Sequence, residues 1–429
     1  MGLVQLEVLD FEGPTRWRWR LTEQPGGGFL ADHQVDLDQT NAEYEAFTDL
    51  DGYLRWNAAP DRRLQSEAEL IAQVGGWIGE RVLGPVGPAI LKRRPSTVRL
   101  VLPPEPPEAA VLAYRPLELA YVEGRPLAVQ QVSLVVQPAG TATDGGSKAG
   151  VGEWLRMLAV FSLPIDASAL NLRHERYALA RLVHQIAQTN AKAVELRVLQ
   201  YGVTRARLGE VLLEADGWDL VHISGHGLPA GLLLEREDGR RDLVAGPELV
   251  ELLEPAVEHI KLVVMSSCDS AAVTAAEQLR LLGITPPGQP TPDGASTEAE
   301  PLPALAVELV RRLDCAVLAM RYPVIDDFAV ALAGQLYDLL LGKGQPLARA
   351  LQLALPRVVG QAPTAAVPAL SVATPALFGA RAVELRLAPP AGGPLVFDTM
   401  VTKLAGFPPE PVRFVGRVLP AGLCGDRSA

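Results

Sequence analysis

Two uninterrupted apolar runs dominate the pattern of hydrophobic and polar positions in the middle of the chain. The first reads D-L-V-H-I-S-G-H-G at residues 219–227, and the second reads K-L-V-V-M-S-S-C-D-S at residues 261–270. Consecutive apolar or β-branched residues that end in Ser and Gly are typical of strands buried on both faces, as in a parallel sheet. Ligands bind at the carboxyl ends of such strands. If the two strands are neighbours, His226 and Cys268 lie at the same edge of the sheet.

Predicted strands and helices alternate on both sides of these two runs. Further apolar runs predict strands at residues 157–163, 194–199 and 315–320. Helical periodicity predicts helices at residues 169–189, 204–214, 249–253, 271–282, 304–313, 326–342 and 347–355. This alternation indicates an α/β fold, a mainly parallel sheet with helices on both faces.

The first part of the chain has a different pattern. Strict alternation of apolar and polar residues at 3–11 and 17–21 predicts strands of a small antiparallel sheet. Ser66 and Glu69 have the spacing of a capping box, which predicts that a helix begins there. Apolar runs at 98–102 and 132–136 predict further strands. We therefore expect an N-terminal α+β region over residues 1–137.

The composition of the residues after 137 predicts a linker, a main domain and a tail. A Gly/Thr/Ser-rich linker is expected at 138–152 and a main domain at 153–390. Within this domain, the proline-rich segment 284–303 cannot form a helix or a central strand, so we expect an exposed loop. Residues 391–429 form a C-terminal tail, in which Cys424 is expected to be free.

Charge and composition exclude several classes of function. The 429 residues are 48% hydrophobic and carry a net charge of −11, which predicts a large core and argues against a general nucleic-acid surface. The basic and aromatic residues at 16–20 are therefore better explained as the alternating face of a strand. Three cysteines do not make a disulfide framework. Without a long uncharged apolar run or a signal peptide, we expect no membrane contact and a reducing cytoplasmic location.

The residues at the two strand ends suggest nucleophilic catalysis by cysteine. A thiolate is the reactive form of Cys, and a free thiol with a pKa of about 8.5 is mostly protonated at neutral pH. His226 within hydrogen-bond reach of Cys268 would accept that proton and return it to the leaving amine. The backbone amides of Gly227 and Cys268 are the candidate oxyanion donors.

A structural explanation competes with each of these assignments. A single Cys after a buried strand is more often a small core residue, and a single His there is usually just hydrogen-bonded. We interpret Cys315 as a core residue. His222, four positions before His226, is expected to pack in the core or to bond a backbone carbonyl. The paired boxes with their glycines favour the catalytic interpretation for His226 and Cys268.

The two boxes together resemble those of CHAT domains, caspase-like cysteine peptidases of clan CD that are related to separases and caspases. The likeness continues at residues 316–350, where A-V-L-A-M-R-Y-P-V-I-D-D resembles the family's strand and W-P-V-x-D turn, with Tyr322 in place of Trp. Upstream, R-P-L-E-L at 115–119 resembles the family's P-W-E-L segment, again without Trp. The resemblance extends over residues 115–387.

The resemblance implies a caspase-like cysteine endopeptidase with Cys268 as nucleophile and His226 as general base. It also implies that segment 284–303 is the linker between large and small parts, a place for control by cleavage or by a partner. Residues 413–417 resemble the start of the ATPase domain of STAND proteins, which often follow CHAT domains in bacteria, so the tail would be the start of a truncated ATPase domain.

The resemblance leaves the target and the activity open. Asp269 and Ser266 are the possible specificity residues. Either Asp269 or the acidic loop would favour a basic residue before the cleaved bond, whereas Ser266 leaves a common acidic position unoccupied. We expect a protein substrate, an activating partner protein, no cofactor or metal, and a role in bacterial defence or stress signalling. The alternative is a catalytically silent caspase-like adaptor that assembles signalling partners.

Overall fold

The computed structural model describes residues 2–141, 148, 150–168, 170–214, 217–228, 231–272 and 304–392, and the backbone of 396–399. Its strands are β1 (Gly2–Gly13), β2 (Arg16–Gln24), β3 (Phe29–Asp36), β4 (Ser96–Val101), β5 (Tyr121–Val122), β6 (Arg125–Pro126), β7 (Val132–Gln137), β8 (Leu155–Ser162), β9 (Val194–Gln200), β10 (Leu220–Gly225), β11 (Gly227–Leu228), β12 (Gly231–Glu235), β13 (Arg241–Ala245), β14 (Leu262–Ser266), β15 (Ala316–Met320), β16 (Pro375–Phe378) and β17 (Val396–Thr399). Its α-helices are α1 (Ala42–Thr48), α2 (Leu50–Asn57), α3 (Arg63–Trp77), α4 (Val86–Leu91), α5 (Leu172–Thr189), α6 (Arg205–Leu212), α7 (Gly246–Leu253), α8 (Leu305–Leu313), α9 (Asp326–Tyr337) and α10 (Leu347–Val359).

One 12-stranded sheet runs through the described chain in the order β17-β9-β8-β10-β14-β15-β16-β7-β4-β1-β2-β3. Neighbouring strands are parallel except at β15–β16, β1–β2 and β2–β3. Helix α5 packs against α9, which packs against α10, and α7 packs against both α6 and α8, so helices flank the sheet. The expected α/β architecture is confirmed.

The strands in the middle of this sheet are buried on both faces. Every residue of β10, β14 and β15 is buried, as the continuous apolar runs predicted. Cys315, just before β15, is 1% exposed and is a core residue, as expected. Burial on both faces fixes these strands at the centre of the molecule, and their loops at the carboxyl edge are the parts that reach solvent.

The N-terminal strands belong to the same sheet rather than to a separate small one. The predicted antiparallel pairing of β1 with β2 is present, but β1 also pairs in parallel with β4. Strand β4 pairs with β7, and β7 pairs with β16 near Val135 and Leu377. Alternation predicts which face of a strand is buried, but it does not predict which strand lies beside it.

The predicted capping box at Ser66 is wrong. Helix α3 begins at Arg63, and the buried Ser66 hydroxyl accepts a hydrogen bond from the backbone N–H of Ala59 at 3.0 Å. The side chain therefore holds the segment before the helix instead of capping its first turn.

The predicted linker is attached to the main domain at its described residue Lys148. The Nζ atom of Lys148 donates to the carbonyl oxygens of Val257, Ile260 and Leu313 at 2.6–2.7 Å. Burial of this ammonium group lowers its pKa. The ends of β14 and β15 that lie opposite the candidate site are thus tied to residue 148. The division at 138–152 itself stays a prediction.

A buried ion pair connects the N-terminal region to the end of β15. Arg321 follows this strand, and its guanidinium donates to Glu118 at 2.6 and 3.2 Å. The two side chains are 2% and 9% exposed. A charge that is removed from water is stable only when its partner is present, so this pair ties the two parts of the sheet together at the edge that carries the candidate site.

We expect Glu118→Ala to lower the free energy of unfolding by about 3–5 kcal/mol, because it leaves the Arg321 charge buried and unpaired. Urea unfolding measures this change. The control is Glu12→Ala, which removes an exposed partner of Arg16 and should cost about 0–1 kcal/mol. Equal costs for the two variants would show that the buried pair does not hold the junction.

Candidate active site

The register of two neighbouring strands brings the predicted His and Cys loops together. Strands β10 and β14 pair in parallel, with Ser224 directly opposite Ser266. His226 and Cys268 each come two residues after these paired serines. The two strands are therefore neighbours, which is the condition under which the sequence places His226 and Cys268 at the same edge of the sheet.

Gly227 lies directly against the nucleophile loop. A Cβ atom at this position would collide with the carbonyl oxygen of Cys268 and would lie 3.1 Å from Cβ of Ser267. Any other residue would therefore push the two loops apart. The glycine next to His226 is required by this close approach, and the approach also places the Gly227 backbone beside the nucleophile. The oxyanion role of the Gly227 and Cys268 amides stays a prediction.

A backbone carbonyl orients the half-buried ring of His226. Nε2 of His226 lies 2.7 Å from the carbonyl oxygen of Ser168, in the loop before α5. Because a carbonyl can only accept, Nε2 carries the hydrogen, and Nδ1 is the nitrogen free to take a proton. Ser168 is a site residue that the sequence did not reveal, since its contribution comes from the backbone.

The thiol of Cys268 is held by the backbone of Val324. The Val324 N–H donates to Sγ at 3.3 Å, and Sγ lies 3.8 Å from the Val324 carbonyl oxygen. Burial raises the pKa of the Cys268 thiol, the Val324 N–H opposes this, and the charges of Asp269 and Asp326 raise the pKa further. The resting state is a protonated thiol, so activation requires a base.

The sequence predicts a helix at 271–282, but residues 273–303 lie outside the described residues. The same holds for the predicted loop 284–303. The tail is described only through residue 392 and for the backbone of β17, so Cys424 and the ATPase-like residues 413–417 also lie outside.

Asp269 follows the nucleophile in an uncommon backbone conformation. Its φ of +55° lies in the left-handed region, which Asp and Asn adopt more readily than other non-glycine residues. Burial raises the pKa of its carboxyl to about 6, with the charges of Asp51 and Asp49 adding to the effect and Arg55 opposing it. Helix α2 of the N-terminal region, which contains Asp51 and Arg55, thus lies near the nucleophile.

Ser266 lies beneath the strand ends rather than beside Asp269. It is 6% exposed, and its hydroxyl donates to Oε1 of Glu175 at 3.0 Å. The assignment of Ser266 to substrate specificity has no support from this placement, although its role stays a prediction.

His222 is fully buried, as expected, but its partners are side chains rather than a backbone carbonyl. Its Nδ1 lies 2.8 Å from the Tyr337 hydroxyl and its Nε2 lies 3.3 Å from Glu175. The sequence analysis missed Glu175. The signal was present, because this acidic residue interrupts the apolar face of α5 between Leu172 and Leu179.

Among the described residues, no group of three or more His, Cys, Asp or Glu side chains could hold a metal ion. No helix in the described ranges is long and apolar enough to cross a membrane.

Comparisons with known proteins were made by sequence and by structure. No curated protein matches this sequence. A chain of the crystal structure of the Saccharomyces cerevisiae separase–securin complex matches with a TM-score of 0.45 and 11% sequence identity, over 88% of this chain and 30% of that one. A sequence model of the CHAT domain matches residues 72–366, more than half of the chain. This protein belongs to the CHAT domain family.

Proposed function

We propose that this protein is a cysteine endopeptidase with Cys268 as nucleophile and His226 as general base. The observation that carries the proposal is the contact of the two loops, in which Gly227 lies against the Cys268 carbonyl while Ser168 orients the His226 ring. Membership of the CHAT domain family supports it. The expected substrate is a protein, and the expected setting is bacterial defence or stress signalling in a reducing cytoplasm.

The proposed reaction begins with transfer of the Cys268 proton to Nδ1 of His226. The thiolate then attacks the peptide carbonyl carbon, and the amides of Gly227 and Cys268 donate to the oxyanion. Collapse of this intermediate forms a thioester and releases the amine, which takes the proton from His226. Water then hydrolyses the thioester, with His226 accepting a proton from that water.

The position of the thiol favours an enzyme that is inactive at rest. Sγ lies between the N–H and carbonyl of Val324, and burial keeps its pKa high. Activity requires the Cys268 thiol to give its proton to His226. We propose that a bound substrate or an activating partner protein favours this transfer.

The same observation supports a second candidate function, a silent caspase-like adaptor. A protonated and partly buried thiol is the state of a cysteine that does no chemistry. In that case the site would be a relic of an active ancestor, and the protein would act only by assembling partners. Labelling of the thiol by a substrate-like electrophile separates the two functions.

We expect Cys268→Ala to keep the fold while it abolishes both peptide cleavage and covalent labelling by an electrophilic peptide ketone. The mutation removes only the half-buried sulfur atom, so the thermal midpoint should change little. Mass spectrometry of the labelled peptides identifies the modified residue. Cys315 is an internal control, because burial raises its pKa to about 12 and keeps it unreactive. Equal labelling of wild type and Cys268→Ala would contradict the proposal.

Replacement of the two histidines should separate catalysis from stability. His226→Ala should lower turnover by about 10²–10⁴-fold, the usual cost of losing a general base, with little loss of stability. His222→Ala should chiefly lower the thermal midpoint, because it removes one buried hydrogen-bond partner from Glu175 and one from Tyr337. A folded His222→Ala protein with lower turnover than His226→Ala would overturn the assignment of the base.

We propose that Asp269 selects a basic residue before the cleaved bond. Asp269→Asn retains a residue type that tolerates positive φ. It should lower kcat/KM by about 10–100-fold for peptides with Arg at that position, because a hydrogen bond to a charged group contributes about 1.5–3 kcal/mol. Peptides with a neutral residue there should show no such loss.

Asp326→Asn is the matched control for this variant. Both carboxylates raise the pKa of Cys268, so both variants should lower that pKa and speed alkylation of the thiol at neutral pH. Only the Asp269 variant should lose its preference for Arg. Loss of this preference in both variants, or in neither, would rule out Asp269 as the specificity residue.

A further inference from the structure

One buried carboxylate lies beneath the candidate site and has no part in the proposed reaction. Glu175, on the first turn of α5, is 6% exposed. Its neighbours His222, Ser224 and Tyr337 are 0%, 1% and 0% exposed. No substrate reaches these side chains, so they do not form a second catalytic site. A buried charge still needs an explanation, because its desolvation is costly unless it has partners.

The partners of Glu175 lie on the two strands that lead to the proposed dyad. The Ser224 hydroxyl of β10 donates to Oε2 at 2.5 Å, and the Ser266 hydroxyl of β14 donates to Oε1 at 3.0 Å. These two serines are directly opposite each other in the sheet. Each precedes one member of the dyad by two residues. One carboxylate therefore clamps the two strands together just below His226 and Cys268.

The protonation states of the buried groups agree with the hydrogen bonds of this clamp. Burial raises the pKa of Tyr337, so its hydroxyl stays protonated, and it lies 2.8 Å from Nδ1 of His222. Nε2–H of His222 then donates to Glu175. Burial opposes ionisation of Glu175, yet the hydrogen bond and the charge of His222, with the hydrogen bonds from Ser224 and Ser266, hold the pKa of Glu175 below its usual value. The carboxylate is thus the common acceptor for His222, Ser224 and Ser266.

The loop that precedes the helix of Glu175 also contacts His226 and the segment that binds Cys268. The loop before α5 supplies the Ser168 carbonyl that binds His226. The Asn171 N–H donates to Oδ2 of Asp326 at 2.6 Å, two residues beyond Val324, which binds Cys268. The position of α5 relative to β10 and β14 therefore sets both the imidazole and the thiol.

We propose that Glu175 is a positioning residue, which joins α5 to the paired ends of β10 and β14 and thereby fixes the distance between His226 and Cys268. This inference rests on the proposed function, because it assigns the network a role in that dyad. Glutamine at position 175 presents an N–H group toward three donors, so at least one of them loses its acceptor. The strand ends are then no longer tied to α5 through a common group.

The test is the pH dependence of Cys268 alkylation by iodoacetamide, a small reagent that needs no substrate-binding site. Peptide mass spectrometry measures the rate at Cys268 alone. The variants are Glu175→Gln and His226→Ala. Both retain Asp269 and Asp326, whose charges raise the pKa of the Cys268 thiol. We expect the alkylation rate of Cys268 in Glu175→Gln to depend on pH as it does in His226→Ala, and not as it does in wild type. The rates at pH 7 should differ from wild type by at least about tenfold, because small misplacements of a catalytic group can cost on the order of 10²-fold.

Ser133→Ala is the matched control for lost stability. Its buried hydroxyl donates to the Ala348 carbonyl at 2.8 Å, in the other half of the sheet. Ser224→Ala and Ser266→Ala each remove one bond of the clamp, and they keep the test valid if Glu175→Gln does not fold. These three variants should lower the thermal midpoint by similar amounts, but only the Ser224 and Ser266 variants should alter the alkylation profile. Their effects should be non-additive, because both hydroxyls bind one carboxylate.

Each outcome decides between the two proposals. If His226→Ala changes the alkylation profile while Glu175→Gln and both serine variants match wild type, the dyad stands and the positioning role of Glu175 is overturned. If His226→Ala itself matches wild type, His226 does not act on Cys268, and the proposed function fails together with the positioning role. A changed profile in Ser133→Ala would mean that loss of stability alone moves the dyad, which also overturns the specific role of Glu175.

Discussion

The parallel pairing of β10 with β14 is the constraint on which the candidate site depends. Because Ser224 lies opposite Ser266, the two strands end at the same level of the sheet, and the residues that follow them pack closely against each other. Gly227 fits there because it has no side chain to meet the Cys268 carbonyl. A slip of one residue in this register would turn every side chain of one strand to the other face and separate His226 from Cys268. Burial of both strands on both faces makes such a slip costly.

Electrostatics at this edge of the sheet hold the site in a protonated, resting state. Burial and two nearby carboxylates raise the pKa of the Cys268 thiol, while a single N–H from Val324 opposes them. Below the surface, the hydrogen bonds of three donors and the charge of His222 hold the pKa of Glu175 below its usual value in spite of its burial. The charge of Glu175 thus lies where α5 is joined to β10 and β14. The Cys268 thiol stays protonated until its surroundings change.

The N-terminal region contributes to the site as well as to the sheet. Its strands extend the central sheet through β7 and β16, and the buried pair of Glu118 with Arg321 joins the two halves close to the site. Helix α2 brings Asp51 and Arg55 near Asp269. A folding unit that contained only residues 153–390 would lack these groups, so the environment of the nucleophile is a property of the whole sheet.

The sequence by itself determined the buried parallel strands, the alternation with helices, and the two loops with His226 and Cys268. It could do so because continuous apolar runs and glycines are local signals of backbone and burial. Only the tertiary structure decided that β1 to β4 join the same sheet, that the backbones of Ser168 and Val324 contact His226 and Cys268, and that His222 and Ser266 meet at Glu175. Strand order, backbone contacts and buried polar networks join residues that are far apart in the chain. No local pattern of residue types encodes such contacts, because they depend on how the elements pack.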